Sequence, residues 1–140
     1  SPSVYEHSKK YPLADVIKNL GHKRALVIHG LDGLDEITTT THTLVSELLE
    51  NGEIRDYQIS PEDFGLPYSS LEDLLGGTVR DNALIAREIL DGKPGPHKDI
   101  VLINAGAAIY VSGIAGSIQD GITLAKKSIF LLRFCWMQEA

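Results

Sequence analysis

The sequence predicts an α/β protein with a buried strand, a β-hairpin and several helices. Three observations carry this expectation. The stretch Arg24 to Thr41, RALVIHGLDGLDEITTTT, runs from an apolar, β-branched segment into a glycine-rich turn. Asn51-Gly52 stands between two patterned arms, TLVSELLE and EIRDYQI. Several other stretches pair a capping residue with apolar positions three and four apart, the spacing of one helix face.

In chain order, Pro12 suits the first turn of a helix, and Leu13, Val16, Ile17 and Leu20 give it an apolar stripe before Gly21 ends it. Ala25 to Ile28, with Leu31 beyond the turn, reads as a buried strand covered on both faces. Gly30 and Gly33 let the backbone turn at its carboxyl end, where α/β sheets place ligand sites. The threonine run Thr38 to Thr41 reads as an extended lead into the next strand. Asn51-Gly52 is expected to form a type I′ hairpin turn, with Ile54, Asp56 or Tyr57, and Ile59 on one face of the second arm.

Ser60 to Tyr68 holds two prolines and a glycine and reads as an ordered turn, with Glu62 and Asp63 in a first helical turn. Ser69 or Ser70 caps a short helix through Leu75. Thr78 caps the next one, with Val79, Ala83, Ala86 and Leu90 inward and Arg80, Arg87 and Glu88 outward. The preceding Gly76-Gly77 resembles an anion cradle only loosely, because the lysine and further glycines of phosphate loops are absent. Asp99 to Gly113 is apolar and alanine-rich, which favours a buried helix. Asn104 there needs partners for its amide and reads as a brace, and Ala105 to Ala108 leave room for another backbone. Ser117 caps a last helix with Ile118, Ile122, Leu124, Ala125 and Ile129 inward and Gly121 as a tolerated weak point.

Chemistry concentrates in the turn after the first strand. Asp32, Asp35 and Glu36 gather hard oxygen ligands that suit Mg2+, an ion that takes one or two carboxylates and completes its shell with water and substrate phosphates. The competing reading makes Asp32 and Asp35 turn formers through Asx hydrogen bonds and Glu36 a solvated charge. His29 and His42 flank the turn, and a histidine at a strand end is more often hydrogen-bonded structure than chemistry.

Bulk properties narrow the class. At 140 residues the chain fits one domain, and it begins at Ser1 with no initiator methionine, as a fragment or processed product would. A single cysteine, Cys135, leaves no internal disulfide to form. No apolar stretch approaches membrane-spanning length, and SPSVYEHSKK carries no signal-peptide core. A cytoplasmic protein is the expectation. The net charge of −6, with no clustered Lys/Arg, argues against nucleic-acid or membrane partners.

HGLDGLDEITTTT, together with GGTVRDNA and INAGAAIYVSG, resembles the C-terminal part of anthranilate phosphoribosyltransferase over roughly Val4 to Lys127. The resemblance implies part of the α/β domain of a nucleoside phosphorylase/phosphoribosyltransferase-like fold. It also implies transfer of phosphoribosyl from phosphoribosyl pyrophosphate (PRPP) to anthranilate in tryptophan biosynthesis, by an enzyme expected to be a homodimer, with Mg2+ held by Asp35 and Glu36. Asp32 is left as a turn former. Residues 128–140, SIFLLRFCWMQEA, depart from the family and read as a divergent apolar tail after residues 1–127. The family's helical domain, its glycine-rich pyrophosphate loop and its basic substrate-binding segments match nothing in this chain, so the chain supplies one wall of a site and is expected to be inactive alone. Neighbours for the buried strand would also come from that missing part. Two other readings stay open: a stand-alone, non-catalytic interaction module that uses the tail, and a fragment of a related nucleoside phosphorylase.

Overall fold

The structure is a computed structural model describing residues 13–139, with side chains as far as residue 135. Ser1 to Pro12 and the side chains of Trp136 and Met137 therefore lie outside the described residues.

Why β2 (Thr43–Leu48) lies at the centre is legible in its residues: all six are buried, and none is a lysine, arginine or aspartate. It pairs antiparallel with β1 (Ala25–Gly30) on one side and with β3 (Ile54–Ile59) on the other, giving the order β1-β2-β3. β1 is thus an edge strand among the described residues. The expectation of a strand buried on both faces applies to β2; β1 is mostly half-buried, and Leu31 beyond it is 45% exposed.

β1 joins the hairpin directly because the chain from Leu31 to His42 doubles back. The Leu31 N–H donates to the His42 carbonyl at 3.0 Å, closing the loop one step beyond the paired Gly30 and Thr43. The threonine run is therefore part of a reversal rather than an extended lead-in. Likewise the acid-bearing turn connects two antiparallel strands and does not sit on the carboxyl end of a parallel one.

The β2–β3 hairpin forms as expected, with a different turn. Gly52 has φ +86°, but no described non-glycine residue has positive φ, so Asn51 does not adopt the type I′ conformation. The Gly52 N–H donates to Leu49 O at 2.9 Å and the Leu49 N–H to Glu53 O at 2.8 Å, the pattern of a three-residue loop ending in a glycine bulge. In β3, Tyr57 and Ile59 join the core, while Asp56 points to the opposite face, where Ser46 Oγ donates to its Oδ1.

Helix α1, residues 13–19, ends at Gly21 in the left-handed conformation. Its expected stripe is not the buried one: Ala14 is fully buried, whereas Leu13, Val16 and Leu20 are exposed. After β3 come a 3-10 turn (Pro61–Phe64), α2 (Leu71–Leu74), α3 (Val79–Leu90), α4 (Pro96–Val111) and α5 (Ile118–Glu139). Ser70 and Thr78 each close a capping box with an aspartate three residues on, Asp63 Oδ2 accepts from the Ser60 N–H at 2.7 Å, and Ser117 Oγ accepts from the Asp120 N–H at 3.0 Å.

The core lies between the sheet and α4. Val45, Ile59 and Ile37 meet Leu102, Ile103 and Ala107 of α4, with Ile118, Ile122 and Ala125 of α5 behind them. Leu124 and Ile129 are half-buried beside these. α3 corrects its sequence reading: Val79, Ala83, Ala86 and Leu90 are exposed, no residue of the helix is fully buried, and Ile85, Glu88 and Ile89 are half-buried. Helical periodicity identifies a stripe but not whether a neighbour exists to cover it. α5 runs through residue 128 without a break, and its exposed Phe130, Leu131, Leu132 and Phe134 form the expected apolar surface.

Gly121 is required rather than tolerated. A Cβ there would stand 2.1 Å from the Gly106 carbonyl oxygen of α4, and one on Gly106 would meet Ile122 backbone N at 2.7 Å. The helices touch backbone to backbone at this point. Gly121→Ala should therefore destabilise the chain by about 1–3 kcal/mol through overpacking. Gly116→Ala, with nothing nearer than 4.0 Å, serves as control. Equal denaturation midpoints for the two variants in urea would rule the crossing out as a constraint.

Candidate functional site

The loop from Leu31 to His42 is built around Asp32. Its Oδ1 accepts from the Leu34 N–H at 3.1 Å, and its Oδ2 accepts from the Thr38 hydroxyl at 2.6 Å and the Thr40 hydroxyl at 2.5 Å. The first contact is an Asx turn, and the other two draw the threonine run back over the turn. Gly30 makes room for this, since a Cβ there would lie 2.5 Å from Asp32 Oδ1. Partial burial pushes the Asp32 carboxyl up, but the hydrogen bonds from Thr38, Thr40 and Leu34 outweigh it and hold the group below the usual aspartate range.

The far end of the loop is fixed from α4. Asn104 Oδ1 accepts from the Ile37 N–H at 2.9 Å, while its Nδ2 donates to Ile37 O at 2.8 Å and to Ile100 O at 2.9 Å. Ile37, 1% exposed, plugs into the core beneath. The Thr38 N–H donates to Thr43 Oγ at 3.0 Å, and Thr39 shares a 2.6 Å hydroxyl contact with Ser69. The brace expected of Asn104 is thus observed, and its partner is the loop.

Between these fixed points lie Asp35 and Glu36. Both side chains are exposed, and neither makes a hydrogen bond or ion pair with a described residue. No group of three or more His, Cys, Asp or Glu among the described residues could hold a metal ion. A pair of adjacent, unengaged carboxylates still suits Mg2+, which needs only one or two from the protein. The oxygens of Asp32 are already taken up by three donors.

His42 is engaged at both ring nitrogens, Nδ1 3.3 Å from Gln58 Oε1 and Nε2 3.1 Å from Tyr68 Oη, with its ring stacked on Tyr68. His29 of β1 pairs in register with Leu44 of β2, and its side chain leaves the sheet on the face opposite Ile28. The Gly76-Gly77-Thr78 segment serves its own helix: the Gly77 N–H donates to Asn82 Oδ1 at 3.1 Å and the Thr78 N–H to Asp81 Oδ2 at 2.9 Å. A carboxylate already occupies the place an anion would take.

One buried group was not anticipated. Glu47, 5% exposed, points into the core from β2, where Tyr57 Oη donates to its Oε1 at 2.7 Å and Tyr110 Oη to its Oε2 at 2.5 Å. Burial first, and then the bond to Glu47, push the Tyr57 hydroxyl far up; the bond to Glu47 leads in raising Tyr110. The Arg24 guanidinium lies 4.8 Å from the Tyr110 ring centroid. Period-two alternation in β2 puts Thr43, Val45 and Glu47 on one face, and that was the available signal.

Residues 2–130 match the family model described as the glycosyl transferase family, a/b domain. The chain belongs to that family. Within it, the chain is 49% identical over 122 residues to an anthranilate phosphoribosyltransferase of Thermoanaerobacter sp. (strain X514), covering 87% of this chain and 36% of the relative. An enzyme of the same name from Alkaliphilus metalliredigens (strain QYMF) is 51% identical over 126 residues, 90% of this chain and 37% of its own. The crystal structure of anthranilate phosphoribosyltransferase from Thermus thermophilus superimposes with a TM-score of 0.74 at 35% identity, over 90% of this chain and 38% of that one. The Saccharomyces cerevisiae enzyme in complex with PRPP and Mg gives 0.68 at 26% identity, over 77% and 31%. This member of the family thus spans about a third of the length of the relatives it matches, and its α/β fold is part of theirs.

The lowered Asp32 carboxyl fixes a pH dependence. A group held below its unfolded value of 3.8 stabilises the fold above that pH, and the contribution is lost as pH falls through the folded value. Asp32→Asn should cost about 1–3 kcal/mol at pH 7 and progressively less below that unfolded value, as followed by denaturant melts. A penalty that stays constant down to strong acid would show that the charged form is not what the threonine hydroxyls hold.

Proposed function

We propose that this chain is the part of an anthranilate phosphoribosyltransferase that supplies Asp35 and Glu36 to hold Mg2+, in an enzyme moving phosphoribosyl from PRPP to anthranilate. The observation that carries the reading is the pair of exposed carboxylates, unengaged by any described residue, on a loop pinned at both ends. The relatives' shared name supports it, as do the yeast neighbours in complex with PRPP and Mg and with 4-fluoroanthranilate. Magnesium bound by the pair would offset the negative charge gathering on the departing pyrophosphate. The chain's own part is to keep two carboxylates side by side and open to solvent, so that substrate phosphates can complete the ion's shell. Groups that grip pyrophosphate and seat anthranilate belong to the rest of the enzyme, read here as a cytoplasmic homodimer.

The test is a graft of the matched residues onto the remaining two thirds of the Thermoanaerobacter relative. The graft should form phosphoribosylanthranilate in a Mg2+-dependent manner, and Asp35→Ala with Glu36→Ala should lower the rate by at least about 100-fold at limiting Mg2+. A double variant as active as the parent, or a folded parent graft without turnover, would count against the reading.

The exposed Phe130, Leu131, Leu132 and Phe134 favour a second reading, a non-catalytic module that associates through residues 128–140. Size-exclusion chromatography with and without that tail checks it: the reading requires the oligomer to shrink when the tail is removed, and an unchanged size excludes self-association.

A further inference from the structure

We propose that Asn104 is a positioning residue for the Asp35–Glu36 pair, acting on the carboxylates through the backbone of Ile37. This rests on the reading of that pair as the Mg2+ ligands.

The argument starts from which backbone groups are held. On the amino side of the pair, both polar groups of Leu34 are engaged: its N–H donates to Asp32 Oδ1 at 3.1 Å and its carbonyl accepts from the Gly30 N–H at 2.9 Å. On the carboxyl side, both polar groups of Ile37 are engaged by one side chain, the Asn104 amide, at 2.9 and 2.8 Å. Asp35 and Glu36 are the two residues between. Asp32 acts from inside the loop itself, whereas Asn104 reaches it from 67 positions away in sequence.

Asn104 is suited to this by more than reach. Its amide mimics a peptide group, donating to one carbonyl and accepting from one N–H of the same residue, and its second N–H donates to Ile100 O on its own helix. That third bond locks the amide's orientation. α4 is in turn seated against α5 at Gly106, two residues further on. The carboxylate pair is thereby referred to the helical layer, and residues that hold ligands in place in this way commonly alter metal affinity when changed.

The experiment is a Mn2+ titration of the graft onto the Thermoanaerobacter relative, with PRPP present, followed by paramagnetic broadening of the Asp35 and Glu36 amide signals. Asn104→Leu, similar in volume and without the amide, should raise the Mn2+ concentration for half-broadening by roughly tenfold. Asn104→Asp, which retains an acceptor for the Ile37 N–H, should shift it less, and it serves in place of the leucine variant should that one fail to fold. Tyr110→Phe loses a hydrogen bond from the same helix to Glu47 without touching the loop, so its midpoint should equal the parent's. An unmoved midpoint in both Asn104 variants, or an equal shift in Tyr110→Phe, overturns the positioning role. A parent graft whose Asp35 and Glu36 signals do not broaden at all rejects the metal pair itself, and the proposal with it.

Discussion

The backbone contact between α4 and α5 at Gly106 and Gly121 is the constraint on which the rest of the described structure depends. With no side chain between them, the two helices form a close layer that presents Leu102, Ile103 and Ala107 to the sheet as a single surface. Every residue that α4 lends to the rest of the fold takes its place from this contact. Asn104 reaches the loop, and further along the same helix Tyr110 reaches β2. A helix displaced by even a methyl group at the crossing would move both.

The same helix carries two kinds of attachment to the sheet. One is apolar and non-directional, the contact of Leu102, Ile103 and Ala107 with Val45, Ile59 and Ile37. The other is polar and directional. Glu47 is a buried carboxylate that is compatible with the core because two tyrosine hydroxyls donate to it, one from β3 and one from α4. Apolar burial tolerates small slips between helix and sheet, whereas hydrogen bonds of this kind do not. The polar contacts are thus more sensitive to such slips than the apolar ones.

Much of this was legible in the sequence, and the failures share a cause. Caps at Ser70, Thr78 and Ser117 were readable because capping is local chemistry, settled within three residues. The hairpin around Asn51-Gly52 was readable for the same reason, although its turn uses only Gly52 in the left-handed region. What the sequence hid was the identity of neighbours. Val79, Ala83, Ala86 and Leu90 form a proper helical stripe, yet in the described chain that stripe faces outward. β1 reads as a core strand by composition, yet among the described residues it lies at an edge, joined to β2 by a reversal through Thr38 to Thr41 that the strand pairing reveals. Within the candidate site, the acids and Asn104 stood out individually. Their connection across the fold did not, because a hydrogen bond between distant residues leaves no periodic mark.

The double pinning of the loop has an entropic consequence. Two residues free to wander in a surface loop would have to be ordered when a cation arrived, at about 1–2 kcal/mol of backbone freedom each. Here Leu34 and Ile37 are already fixed on either side of Asp35 and Glu36, so most of that ordering is completed when the chain folds. Were the proposed pair to take Mg2+, an ion that sheds its water reluctantly, the gain would come less from additional protein contacts than from two carboxylates already in place.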